Sequence, residues 1–163
     1  MTGPVDPAAV ATWLESLGLD PSGELRFHKI GLGQSNLTYL VGDESDRRWV
    51  LRRPPLGELL ASAHDVTREA RIMAALADTP VPVPKIYSVA TVSDVPMVLM
   101  EFVDGLVVDT MQIAEELTPE RRQAIATSMS KTLAAVHSVD IAAVGLDDLA
   151  SHSPYAQRQL RRW

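Results

Sequence analysis

The six residues Gly31-Leu32-Gly33-Gln34-Ser35-Asn36 separate two short runs that read as strands, Leu25 to Ile30 and Leu37 to Val41. A connection this short cannot carry a crossover, so the two runs must pair antiparallel. A third run, Arg48 to Arg53, follows the turn-forming Gly42-Asp43-Glu44-Ser45-Asp46 and extends the pair to a meander, which Pro54-Pro55 stops. These constraints fix the start of a small sheet before any composition is considered.

The flanking segments fill in the rest. Asp6-Pro7 opens a helix with a good N-cap and a proline at the first helical position; Val10, Trp13, Leu14 and Leu17 share one face, and Gly18 ends it. Ser62-Ala63-His64-Asp65 fits a capping box, followed by Val66, Ala70, Met73 and Ala77 at helical spacing. Thr79-Pro80-Val81-Pro82-Val83-Pro84 reads as an extended link. Lys85 to Val92 and Met97 to Val103 read as two more strands around Ser93-Asp94. After Asp104-Gly105 the chain turns helical: Thr118-Pro119-Glu120 is a strong start signal, and Ile125, Met129, Leu133 and Val136 form an apolar stripe.

The expected fold is therefore α+β, a five-stranded antiparallel sheet with a helix, followed by the first helices of an α-helical unit. The expected boundaries are an N-terminal helical extension over 1–24, a sheet lobe over 25–104, and a hinge with the start of a helical lobe over 105–163.

Bulk properties exclude several functions. The formal charge of −6 argues against non-specific nucleic-acid binding. No apolar run approaches the roughly 20 residues of a membrane span, and the N-terminus lacks the pattern of a signal peptide, so a cytoplasmic protein is expected. The absence of cysteine removes disulfides and thiolate catalysis, and His28, His64, His137 and His152 lack zinc-ligand spacing. His137 and Asp140 follow an amphipathic helix and read as helix-end residues. Glu115-Glu116 and Asp147-Asp148 read as solvated charges without a ligand set.

Three pieces in order carry chemistry. The glycines of the 31–36 loop let backbone N–H groups approach phosphate oxygens, with the Ser35 hydroxyl as a further donor, although Gly-x-Gly between strands is more often a plain hairpin. Strand alternation puts Val50 and Arg52 on one face and Trp49, Leu51 and Arg53 on the other. Arg52 on an apolar face is placed to point into a cleft; the bland reading makes Arg52 and Arg53 solvated strand-end charges. Glu69 borders the apolar stripe of its helix and, if buried, needs a partner; Arg52 is the natural one. The alternative is an exposed Glu near Arg68 or Arg71. Finally, the apolar run Val98 to Val103 entering a lobe junction can offer backbone groups to a flat heterocycle.

Together with Val81-Pro82-Val83-Pro84-Lys85, Met100-Glu101-Phe102-Val103-Asp104-Gly105 and Leu133-Ala134-Ala135-Val136-His137-Ser138, this order of motifs resembles the aminoglycoside phosphotransferase family, which has a protein-kinase-like fold. The likeness is strongest to the kinase-like domains of actinobacteria and those joined to acyl-CoA dehydrogenases. It implies a nucleotide-binding N-lobe over 25–104, ATP or GTP with Mg²⁺, and a hydroxyl acceptor. Gly31, Gly33, Ser35 and Asn36 would lie in the phosphate-covering loop. Arg52 would stand where kinases usually carry a lysine, paired with Glu69; Val50 would roof the adenine, and Glu101 and Val103 would supply hinge contacts. The family's His-Gly-Asp type loop and later metal-binding Asp do not occur in residues 1–163. The chain is thus expected to be an N-terminal portion, without catalytic residues and inactive by itself. A non-catalytic nucleotide-binding module, or an oligomer formed through exposed C-terminal helices, is the alternative.

Overall fold

The computed structural model describes residues 5–31, 36–55, 65–149 and 160. The elements are α1 (Pro7–Ser16), β1 (Arg26–Ile30), β2 (Leu37–Gly42), β3 (Arg48–Arg53), α2 (Val66–Ala75), β4 (Ile86–Val92), β5 (Val95–Glu101), α3 (Met111–Glu116) and α4 (Pro119–His137), with a 3₁₀ turn at Asp147–Leu149. The five strands form one sheet in the order β1-β2-β3-β5-β4, antiparallel at every step. The α+β expectation holds. The chain divides into two compact units, residues 1–77 with 83–108, and residues 78–82 with 109–163.

Both faces of the sheet are covered, and period-2 alternation decides what each face meets. On one side Tyr39, Val41, Trp49, Leu51, Met97 and Leu99 pack with Val10, Trp13 and Leu14 of α1. On the other, Val50, Val98 and Met100 pack with Val66 and Ala70 of α2. The segment read as an N-terminal extension therefore supplies one wall of the sheet's core. Its indole Trp13 Nε1 donates to Ser88 Oγ of β4 at 3.3 Å. Asp6 caps α1 by accepting from the N–H groups of Ala8 and Ala9, and Gly18, at φ +69°, turns the chain away in a conformation that L side chains disfavour.

Two boundaries differ from the sequence reading. The helix α2 begins at Val66, because Asp65 itself is the N-cap and accepts from Arg68 N–H at 2.9 Å; Ser62 lies outside the described residues. Hydrogen bonds from the Thr67 hydroxyl and the Arg68 N–H hold the Asp65 carboxyl below its ordinary range. Strand β5 starts at Val95 and ends at Glu101, so Val103 lies beyond it. Ser93 and Asp94 both take positive φ, which makes a two-residue hairpin and pairs Val92 with Val95. Pro96 is tolerated because β3 pairs with β5 only from Val98 onward, so its missing N–H faces no partner strand.

The link from α1 to β1 is fastened by Asp43, the first carboxylate of the turn after β2. Asp43 is buried and accepts from the N–H groups of Ser22, Ser45 and Arg47, each at 2.9 Å, and from Arg47 Nε at 2.8 Å. Arg47 in turn donates to the carbonyls of Leu19 and Asp20. Burial works against the charged form, but the donors from Ser22, Arg47 and Ser45 outweigh it and hold the Asp43 carboxyl at about 2.

In the second unit Thr118 caps α4 as its sequence indicated, and Met129, Leu133 and Val136 of the predicted stripe are exposed. Among the described residues no helix is long and apolar enough to cross a membrane.

Candidate functional site

Arg52 and Glu69 meet on the α2 side of the sheet. Arg52 occupies the same face of β3 as Val50, and Glu69 lies in the first turn of α2, where an acid complements the helix dipole. Arg52 Nε donates to Glu69 Oε2 at 2.6 Å, and Nη2 reaches Oε1 at 3.4 Å. The first contact is short and charge-assisted; the second is long and weaker. Nη1 donates to Thr38 Oγ1 at 2.8 Å, which the register makes natural because Thr38 and Arg52 are cross-strand partners. A third strut comes from the end of the glycine loop: Asn36 Nδ2 donates to Glu69 Oε1 at 3.0 Å.

The pair is neither sealed nor free. The Arg52 side chain is 31% exposed and that of Glu69 41%. Thr38, Arg52, Glu69, Ile72, Met73 and Met100 line a cavity of about 430 Å³. Among the described residues its walls are apolar apart from the hydroxyl and the ion pair, a composition suited to a small ligand with an apolar body and an anionic end. Arg52 offers five N–H donors in a planar fork, and three are engaged in the contacts above. Arg53, by contrast, is not a solvated strand-end charge: it is buried at 3% exposure, with Nε donating to the Pro54 carbonyl.

The other residues singled out from sequence fall as follows. Gly31 ends β1 at φ +79°, a value that favours glycine. Gly33 and Ser35 lie outside the described residues. Asn36 is buried, with its amide N–H committed to Glu69. Val50 is buried on the Arg52 face beside Met100. Glu101 closes β5 against β4 through two bonds, Glu101 N–H to the Lys85 carbonyl at 2.8 Å and Lys85 N–H to Glu101 Oε2 at 3.1 Å. Val103 is exposed. Arg48 bridges the same stretch, with its guanidinium 4.5 Å from the Phe102 ring centroid and Nη2 3.4 Å from Asp104 Oδ2. Sequence reading missed this clasp, whose signal is the Arg48, Phe102 and Asp104 set at facing strand ends.

Asp140 caps the turn after α4, accepting from the N–H groups of Ala142 and Ala143. Among the described residues no group of three or more His, Asp or Glu side chains is arranged to hold a metal ion. A larger apolar groove of about 740 Å³ follows α4 along Ile125, Met129, Leu133 and Val136, with Ser128, Ser130 and Thr132 also lining it.

Several known proteins are similar to this chain. Mouse acyl-CoA dehydrogenase family member 10 is 39% identical over 150 residues, covering 90% of this chain and 14% of that protein. The probable acyl-CoA dehydrogenase IBR3 of Arabidopsis thaliana is 38% identical over 147 residues, 86% of this chain and 18% of that protein. Human acyl-CoA dehydrogenase family member 11 is 31% identical over 153 residues, 92% of this chain and 19% of that protein. The chain thus spans less than a fifth of each of these relatives. The model of the phosphotransferase enzyme family matches residues 26–163. With its five-stranded sheet and helices, this chain belongs to that family and carries its kinase-like N-terminal lobe.

Proposed function

We propose that this chain is the ATP-binding portion of a small-molecule phosphotransferase. The observation that carries the reading is the guanidinium of Arg52, held by Glu69 and Thr38 at the edge of an apolar cavity. Such a group is fixed in orientation, still reachable from solvent, and has N–H donors left for phosphate oxygens. The purine would lie against Val50 near Met100, with the Glu101 carbonyl at the strand end and the backbone of Val103 just beyond it offering polar groups. Gly31, Gly33, Ser35 and Asn36 would form or border the phosphate cover.

Bound ATP, or GTP in its place, supplies a transferable γ-phosphoryl group for a hydroxyl acceptor. The chain's own part is to orient that group: Arg52 neutralises phosphate charge, and Glu69 keeps the guanidinium from swinging into solvent. Among the described residues no group of three or more His, Asp or Glu side chains is arranged to hold a metal ion, and the carboxylate in the cavity is engaged by Arg52 and Asn36. Likeness to proteins named acyl-CoA dehydrogenases supports a hydroxyacyl acceptor.

The exposed stripe of α4 supports a second reading, a module that acts by association; Met129 is 68% and Leu133 57% exposed. Calorimetric titration of ATP into this chain and its Arg52→Gln variant separates the two. Saturable binding, lost in the variant, supports the nucleotide site. No heat from either protein contradicts it.

A further inference from the structure

We infer that Asn36 is a positioning residue: its side-chain amide holds Glu69, and through Glu69 holds Arg52, in fixed relation to the end of the 31–36 loop. The inference rests on the nucleotide site proposed above and assigns Asn36 a part other than direct phosphate contact.

Three observations carry it. First, the chemistry of the contact fixes its direction. An ionised carboxylate only accepts, so the amide atom 3.0 Å from Glu69 Oε1 must be Nδ2. Second, Asn36 is 6% exposed and its Oδ1 is buried with no hydrogen-bond partner among the described residues. A buried amide with an unmatched end is costly to keep. A residue serving only as a loop terminus would be better replaced by an apolar one. Third, the bonds close a circuit. Asn36 reaches Glu69, Glu69 takes Arg52, and Arg52 reaches Thr38, two residues beyond Asn36 on the same chain segment. Glu69 is therefore gripped from two strands, β3 through Arg52 and the start of β2 through Asn36. With Asn36 removed, one grip remains, and the carboxylate is free to rotate about its side chain with the guanidinium following it.

The test uses this chain with Asn36→Asp and Asn36→Ala, and Arg52→Gln as a control. Two quantities are read: Mg-ATP affinity, and the ¹⁵N-detected Arg52 Nε–H resonance in nucleotide-free protein. The charged groups at this position, among the described residues, are Glu69 of α2 and its partner Arg52 of β3. In Asn36→Asp the new carboxylate repels Glu69 near neutral pH, so the Nε–H resonance shifts and affinity falls about tenfold, the scale of one lost bond to a charged group. Burial and the neighbouring Glu69 charge push the introduced carboxyl up from its ordinary range, so acidification to about pH 5 protonates it, and it then donates to Glu69 and recovers much of the loss. Asn36→Ala shows the loss without that recovery. A merely structural role would not give an acid-dependent rescue confined to one variant. An unmoved Nε–H resonance in both Asn36 variants overturns the inference. Failure of the nucleotide site is distinguishable, because ATP affinity is then absent or indifferent to Arg52→Gln while the resonance still reports on Asn36.

Discussion

Arg52 Nε lies 2.6 Å from Glu69 Oε2, joining the third strand of the sheet to the first turn of α2. The contact is short, yet both side chains are partly open to solvent, at 31% and 41% exposure. Water therefore screens much of the Coulomb attraction, and such a pair adds little to folding. Its geometric effect is larger, because a forked guanidinium held at one edge presents its other edge in a fixed direction.

Glu69→Gln should separate these effects. The amide retains shape and a carbonyl acceptor but loses the charge. Stability should fall by only about 1 kcal/mol or less in urea unfolding, the range for a screened pair. Phosphoryl transfer by a complete enzyme bearing the same change should fall by about tenfold or more, the scale of a misplaced electrostatic group. A variant that unfolds readily yet keeps full activity when folded would reverse the assignment.

Asp43 should make this chain acid-sensitive. Its carboxyl sits at about 2 in the folded protein against an ordinary value of 3.8. A carboxyl depressed on folding adds stability that is complete above the unfolded pKa and is lost as pH falls through the folded one. The contribution should thus be intact above about pH 5 and decline between there and about pH 2. Comparing urea midpoints of the wild type and Asp43→Asn across that window checks it. The wild type should be the more stable near neutrality, with the gap narrowing as acid is added. A constant gap would mean that the ionised form is not what the Ser22, Ser45 and Arg47 donors hold.

The N-terminal helix should behave as core. Leu14 and Val10 are fully buried against the sheet. Leu14→Ala should cost about 2–5 kcal/mol, the range for emptying a packed leucine site. Chemical denaturation followed by tryptophan fluorescence reads this directly, since Trp13 and Trp49 share the same cluster. A loss under about 0.5 kcal/mol, the size of an ordinary surface change, would make α1 an appendage instead.

Local signals explain what was legible in the sequence. Asp6-Pro7 and Thr118-Pro119 carry their own helix starts, and the structure begins α1 and α4 there. Alternation along residues 48–53 separated Val50 and Arg52 from Trp49 and Leu51, and the two clusters divide in the same way. The Arg52 and Glu69 pairing was legible because Arg52 shares a strand face with Val50 while Glu69 borders the apolar stripe of its helix.

What sequence reading missed depends on distant partners. Gly42-Asp43-Glu44-Ser45-Asp46 reads as a turn whether or not its first carboxylate is buried, and the donor that completes its burial, Ser22 N–H, is 21 positions away. Its local half was readable, since Ser45 and Arg47 N–H lie two and four residues on. Arg53 reads as a solvated charge because nothing in its neighbours announces a buried guanidinium. The start of β5 is set by a hairpin with two positive φ values, which Ser93-Asp94 permits without demanding.

Arg52 and Glu69 should act as one unit on bound nucleotide. A double-mutant cycle on ATP affinity, with Arg52→Gln, Glu69→Gln and both together, measures that coupling. The double variant should bind no more weakly than Arg52→Gln alone, giving a coupling of about 1 kcal/mol or more. Losses that simply add would contradict the claim, because the carboxylate would then be acting without the guanidinium.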